Sequence, residues 1–372
     1  MKDVIALLDC HNSPELGELT SSRPLASTSF LGRYAFMDFM MSNFTNSGID
    51  NVGILCRNHQ RSLLKHMGNM SSWVSNTKLG RTIVFYNEKG VLNETYNTDL
   101  SNIRENDWVL YDEKVKTIVI AAPHILASID FGPILEKHLT AGEDITVLYK
   151  DIEDADKTFL KGNLFEVDKD GYVLSSHRND GKKKKAKASL EAWILSRDVL
   201  AKMIDRYPRV DASFGIREML ESFVREKIYR IKAVSFEGYV RCVDSLEHYL
   251  DYSFELLDPK VASGLFNPTW PIFTLTHDTP PALYGPSSDV SNSFISNGCV
   301  IDGKVKDSII CRNVKIGKGS TIRHSIILSG VTIGENAKVS DVLIDKYSHI
   351  ISRHTIEGDE KNVIYIGQGA SL

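Results

Sequence analysis

No stretch of this chain reaches the roughly twenty consecutive apolar residues that a bilayer-spanning helix requires, so no membrane association is expected. Cysteine is scarce and scattered. Cys10, Cys56, Cys242, Cys299 and Cys311 form no C-x-x-C pair, which argues against a zinc knuckle or a disulfide framework and leaves reduced, buried thiols as the expectation. An excess of charge of either sign is missing too: a net charge of −4 gives no electrostatic footprint for nucleic acid. The opening Met1-Lys2-Asp3-Val4-Ile5, soon interrupted by Asp9, is too short for a signal peptide, and a cytoplasmic location follows as an expectation.

What is present is ordinary globular composition, 42% hydrophobic and 25% charged, over 372 residues. That length favours two domains. Residues 1–257 alternate apolar strand-like runs with amphipathic segments. Val4 to Leu8, Val52 to Cys56, Thr117 to Ala122 and Ile145 to Tyr149 read as strands, while Arg33 to Phe39, Arg61 to Met67 and Ile134 to Leu139 read as helix. Such alternation predicts a doubly wound, mostly parallel sheet, whose ligands sit beyond the carboxyl ends of the strands. Residues 258–290 hold six of the eleven prolines and read as an extended linker, since proline density disfavours helix and central strand.

Residues 291–372 carry a repeat. Ile310, Ile316 and Ile322 are spaced by six, as are Ile327, Ile333 and Val339, and then Ile344, Ile350 and Ile356; the blocks start 17 residues apart with Gly317 and Gly334 in equivalent places. One inward aliphatic every sixth residue is the signature of a left-handed parallel β-helix.

After the first strand comes Asp9-Cys10-His11-Asn12-Ser13-Pro14-Glu15, framed by Leu19-Thr20-Ser21-Ser22-Arg23 and by Leu31-Gly32-Arg33-Tyr34 through Asn46-Ser47-Gly48-Ile49. The frame resembles the opening of the bacterial ADP-glucose pyrophosphorylases (glucose-1-phosphate adenylyltransferases), and the resemblance extends over nearly the whole chain. It implies an α/β, Rossmann-like nucleotidyltransferase domain followed by the β-helix. Carried over residue by residue, it also implies what is missing. The family's three loop glycines fall on Cys10, His11 and Ser13, its loop arginine on Glu15 and a lysine on Leu25. Glycines let backbone amides approach phosphates, and the cations offset charge in the transition state of nucleotidyl transfer.

The two magnesium-binding aspartates fall on His124 and Cys242, and magnesium wants oxygen ligands. The base-contacting glutamine falls on Arg57, the glycine of G-T-A-D-A near Asn97, and in Ala188-Ser189-Leu190-Glu191-Ala192-Trp193 the sugar-side glycine becomes Glu191 while Ser189 is kept. Arg23 and Arg33 lie where sugar-phosphate effectors bind in the family, so Arg23, Arg33, Arg57, Ser189 and Glu191 are candidates for effector or sugar-phosphate binding; a pair of solvated or salt-bridged arginines is the alternative for the first two.

Within the family these departures resemble the GlgD type, a non-catalytic paralogue that assembles with a catalytic subunit as a hetero-oligomer, expected to be a heterotetramer. No cofactor is then expected on this chain, the Mg²⁺ being needed by the partner. Two alternatives stay open. An active nucleotidyltransferase would need a metal carboxylate from Asp130 or Asp244. A hexapeptide-repeat acyltransferase would need a histidine from the coils, His324, His349 or His354. The basic run Lys182 to Lys185, with Lys187, reads as a solvated loop.

Overall fold

The computed structural model describes residues 3–73, 80–87, 93–108, 114–359 and 363–372. Among them, nine strands form the main sheet: β1 (Val4–Asp9), β2 (Asn51–Leu55), β3 (Arg81–Phe85), β4 (Thr117–Ala121), β5 (Ile145–Ile152), β6 (Asn163–Val167), β7 (Val173–Arg178), β8 (Ala186–Ser196) and β9 (Ile231–Ser235). A parallel core runs β4-β1-β2-β3, and β9 is parallel to β5. The long β8 runs antiparallel to β4, β5 and β6, joining the halves.

β1 is buried at every position, as a strand covered on both faces must be. Ala6 and Leu8 face one core with α1 (Phe36–Asn46) and α4 (Phe131–Ala141); Ile5 and Leu7 face the other with α5 (Arg197–Val210) and α6 (Ile216–Arg225). Among the described residues the remaining α-helices are α2 (Gln60–Met67), α3 (Asp99–Glu105), α7 (Leu246–Glu255) and the single turn α8 (Pro259–Ala262). α1 begins at Phe36, later than the sequence suggests, because Tyr34–Ala35 pairs as a short strand with Ser29–Phe30 and Asp38 caps the helix by accepting from the Ala35 N–H at 2.9 Å.

After α8 the proline-rich segment runs along α1. Asn46 donates to the Pro271 carbonyl at 3.0 Å, the Trp270 indole to Asn43 at 2.9 Å, and the Phe273 N–H to Ser42 at 2.8 Å. Strand pairing of the β-helix already starts at Leu283–Tyr284 and Asp289–Ser291, inside the span read as linker. Three five-stranded parallel sheets then form a three-sided left-handed prism. Ile301, Ile316, Ile333 and Ile350 stack inside it with the other hexad aliphatics. Gly317 and Gly334 are required where coils touch: a Cβ on Gly317 would lie 2.8 Å from the Gly334 backbone, and one on Gly334 2.5 Å from the Ser352 nitrogen.

A third core joins the domains, with Leu25, Phe30, Phe36, Phe39 and Tyr249 packed against Ile309, Ile326 and Leu343. Among the described residues no helix is long and apolar enough to cross a membrane.

Candidate functional site: a rebuilt strand-end pocket

The loop after β1 lies at the carboxyl edge of the parallel core, where such sheets bind ligands. Its residues are held by a lock of side chains. The Asp9 carboxylate accepts from the His11 N–H at 2.9 Å, and the Asn12 amide donates to Asp9 and to Asp99, each at 3.0 Å. Asp99 in turn accepts from the Leu100 N–H at the start of α3 and the Ile216 N–H at the start of α6. Helix N-termini favour such a carboxylate.

Both acids are fully buried, and burial raises their carboxyls above the ordinary range, most strongly for Asp99, where the neighbouring Asp9 adds to the effect. His11 is buried, within 3.1 Å of the Asn102 amide, and burial lowers it to about 4, so the ring is neutral near pH 7. Cys10 packs in the core with its thiol pushed well up by burial. The segment is therefore filled with side chains and fastened by acids, whereas a phosphate cradle needs open amides.

Behind the loop lies a cavity of about 260 Å³. His11, Asn12, Ser13, His124, Cys242 and Asp244 line it together with Glu191 and Arg217, and Glu15, Lys161 and Arg178 lie exposed at its rim. Glu191 sits on a break in the β8 register and has φ of 48°, the left-handed region where an L-residue is strained. Its Oε1 accepts from the Arg217 guanidinium, and both side chains are buried. Burial opposes ionisation of Glu191, but Arg217 and then His124 outweigh it and hold the carboxyl below the usual value. Arg217, opposed by burial and favoured by Glu191, stays charged.

The His124 Nε2 lies 3.6 Å from Glu191 Oε2, and burial lowers its pKa against the pull of that carboxylate. Among the described residues that line the cavity, five buried side-chain atoms lack a hydrogen-bond partner: His11 Nδ1, Ser13 Oγ, His124 Nδ1, Glu191 Oε2 and Arg217 Nε.

The two places where the family resemblance puts metal-binding aspartates do not fit a magnesium ion. His124 is a neutral ring, and Cys242 is buried with its thiol pushed well up by burial. Among the described residues no three His, Cys, Asp or Glu side chains converge as a metal site. Asp130 caps α4 by accepting from the Gly132 N–H at 2.9 Å. Asp244 does face the cavity but is engaged by His248 Nδ1 at 2.5 Å and the Leu160 N–H at 2.9 Å. His324, an acyltransferase candidate, is bound to Asp341 at 2.7 Å and stacked on Phe254.

Other positions go elsewhere. Leu25 is part of the interdomain core. Arg57 is half-exposed, 3.6 Å from Glu94, outside the cavity lining. Ser189 is buried and accepts from the Glu191 N–H at 3.1 Å, supporting the strained turn without reaching the cavity. Arg23 takes the salt-bridged form: it is buried and grips Asp345 of the β-helix through two nitrogens at 2.9 and 2.7 Å, with Gln368 at 3.1 Å, and it also lines the interdomain cavity described next.

Arg33 is exposed at the edge of a second, larger cavity of about 910 Å³ between the domains, with Arg61, Lys65, His66, Arg312 and Lys346. Burial lowers the pKa of both Arg312 and Lys346, with neighbouring arginines adding to it. The lysine run is laced to the surface: Lys182 to Asp180, Lys183 to Glu166, Lys185 to Glu153 and Lys187 to Asp151. Asn12, Asp99, Lys161, Arg178 and Arg217 belong to the site but escaped sequence reasoning. Only Asp99 had a local signal, standing beside Thr98 in the stretch compared with G-T-A-D-A.

Fold and site together define a nucleotidyltransferase-type α/β domain joined to a hexapeptide β-helix, its strand-end loop rebuilt with side chains. The Nucleotidyl transferase family profile matches residues 15–159, and the GlmU-like C-terminal hexapeptide profile matches residues 283–363. The chain belongs to the family of GlgD and glucose-1-phosphate adenylyltransferase. It is 30% identical over 311 residues to the glycogen biosynthesis protein GlgD of Bacillus subtilis, covering 83% of this chain and 79% of that protein. It is similar at 30% over 324 residues to the glucose-1-phosphate adenylyltransferase of Thermotoga maritima (83% and 73% covered), and at 29% over 347 residues to that of Desulforamulus reducens (92% and 86%).

Proposed function

We propose that this protein is a regulatory, non-catalytic subunit of glucose-1-phosphate adenylyltransferase in glycogen biosynthesis, assembling with a catalytic subunit that makes ADP-glucose from ATP and glucose 1-phosphate. The observation that carries the reading is the Asp9–Asn12–Asp99 lock, which fills the strand-end loop with side chains and carboxylates. The neutral His124 and the protonated Cys242 support it, because neither replaces a carboxylate for Mg²⁺. Magnesium chemistry then belongs to the partner, and this chain binds no cofactor.

Such a subunit acts by binding the active state of its neighbour more tightly than the inactive one. Among the described residues its first coil leaves strand edges unpaired on one side and exposes Leu283, Tyr284 and Phe294, with Val300 exposed on the next coil, features that call for a covering partner. The interdomain cavity with Arg33, Arg312 and Lys346 suits a sugar-phosphate effector.

The test is turnover with ATP, glucose 1-phosphate and Mg²⁺ for this protein alone, the catalytic subunit alone, and the two co-purified. No turnover alone with a clear rise in the complex is expected. Turnover alone at a rate comparable to the partner's would overturn the reading. Arg33→Ala with Arg312→Ala should leave complex formation intact and blunt stimulation by a sugar bisphosphate.

A further inference from the structure

Arg23, Arg33, Arg61, Lys65, Arg312 and Lys346 line the interdomain cavity, and among the described residues no carboxylate lines it. Arg23 is engaged by Asp345; the other five make no ion pair with a described residue. Such a cavity concentrates anions. Two of its cations belong to a repeat of the β-helix. The Gly330 N–H donates to the Arg312 carbonyl at 3.0 Å and the Tyr347 N–H to the Ser329 carbonyl at 3.2 Å, so Arg312, Ser329 and Lys346 are stacked on three successive coils, and all three line the cavity. With strands of successive coils about 4.8 Å apart, Arg312 and Lys346 start about 10 Å from each other. The short serine between them leaves room for a phosphate-sized group.

Lys346 differs from the arginines in its chemistry. A guanidinium stays protonated, whereas a lysine amine is a nucleophile once it has lost its proton. Lys346 is half-buried; burial lowers its pKa and the charges of Arg23 and Lys65 lower it further, with Cys311 and Asp345 pulling the other way. Asp345 is itself held by Arg23 through both oxygens and by the Tyr365 hydroxyl. A compound with a phosphate beside an electrophilic carbon would be held by the arginines and react at the lysine. In an acyl phosphate a single oxygen separates phosphorus from the carbonyl carbon, so a phosphate seated over Ser329 presents that carbon to the Lys346 amine. Holding the two together raises the rate.

We propose that Lys346 is a site of acylation by a small acyl phosphate, directed by Arg312 and Arg33. The neutral amine attacks the carbonyl carbon; the C–N bond forms, the C–O bond to phosphate breaks, and phosphate leaves with that electron pair and takes up the proton released by nitrogen. The amide product has lost the lysine charge, which weakens the cavity for any anion. The regulatory consequence rests on the reading of this cavity as an effector site.

The experiment incubates the full chain with acetyl phosphate and follows each lysine by peptide mass spectrometry. Lys346 is expected to acetylate at least tenfold faster than the exposed Lys304, Lys315 and Lys338 of the same β-helix. Inorganic phosphate should slow Lys346 at least fivefold and leave those three unchanged. The N-hydroxysuccinimide ester of acetic acid, an uncharged donor, should show a preference at least fivefold smaller. Arg312→Ala should bring Lys346 down toward the rate of the exposed lysines; the phosphate competition is read on the unaltered chain, so the test survives a variant that fails to fold. Acetylation of Lys346 no faster than the three references, a rate insensitive to phosphate, or an equal preference with the uncharged ester would overturn the proposal. Neither ATP nor a catalytic subunit takes part. Calorimetry with inorganic phosphate separates the two readings: the acetylated chain should bind at least fivefold more weakly, whereas phosphate binding with Lys346 left unmodified by acetyl phosphate refutes acylation and leaves the effector reading standing.

Discussion

The Glu191–Arg217 pair allows a quantitative test of how the pocket is held. Glu191 is buried, strained at φ of 48° and paired with a guanidinium that is itself buried. Removing one partner of a buried pair leaves an uncompensated charge and costs about 3–5 kcal/mol. Arg217→Leu should lose that full amount. Glu191→Gly leaves Arg217 unpaired but relieves a left-handed conformation worth about 1–2 kcal/mol, so its net loss should be smaller, about 2–3 kcal/mol. In the double variant no charge is left unpaired and the strain is gone. Replacing a buried pair with apolar groups is often neutral or stabilising, so its stability should return to that of the parent or exceed it. In a domain of this size about 3 kcal/mol corresponds to a fall in Tm of roughly 6–12 °C. The assay is thermal unfolding followed by tryptophan fluorescence, since Trp73, Trp108, Trp193 and Trp270 all precede the β-helix, analysed as a double-mutant cycle. A double variant as unstable as Arg217→Leu alone would refute the argument, because the cost would then reside in lost packing and not in the unpaired charge.

Acid should destabilise the α/β domain through His11, whose pKa is lowered to about 4 from an unfolded value near 6.5. A base with a lowered folded pKa contributes stability that is present above the unfolded value and lost as pH falls toward the folded one, here up to about 3 kcal/mol between pH 6.5 and 4; His11→Gln should flatten that part of a Tm-versus-pH curve. Leu25→Lys, which restores the family's cation, puts an ammonium into the interdomain core and should lower Tm by several degrees without creating turnover, whereas a stable and active variant would show that the lysine's surroundings are intact. Arg23→Met leaves the buried Asp345 with only Tyr365 and the Lys346 N–H; a loss of about 3–5 kcal/mol at the domain junction should appear as faster limited proteolysis in residues 267–282, and an unchanged cleavage rate would mean that the apolar core alone holds the domains together.

Periodicity carried most of the architecture. The six-residue spacing of Ile310, Ile316 and Ile322 maps directly onto inward positions of successive faces, because a prism side repeats a short pattern many times. Val4 to Leu8 was legible as a strand for a similar reason, every residue being apolar and buried. The site was legible chiefly as a set of departures. Cys10, His11, Ser13, His124 and Cys242 stood out against a pattern, but their new partners did not. Asn12 meets Asp99 across 87 residues of chain and Glu191 meets Arg217 across 26; neither pairing follows from local spacing. For Arg23 both an effector role and a salt bridge stayed open, because the sequence does not show that Asp345, 322 residues away, lies beside it.

The consequence for function follows from how the changes support one another. A strand-end loop with open amides is stable when filled by phosphate; without phosphate its N–H groups need other acceptors. Here Asp9 receives the His11 N–H and Asp99 receives two helix-start N–H groups, with Asn12 holding the carboxylates together. Those acids are what make the place unfit for a triphosphate, since they occupy the N–H groups a phosphate would need while the family's cations are absent. Restoring one glycine or one aspartate would therefore remove a support without supplying those cations. Recovery of nucleotide chemistry would require the loop, Asp99, Glu191 and both metal positions to change as a group, and a stepwise series of reversions should lose stability well before any turnover is gained.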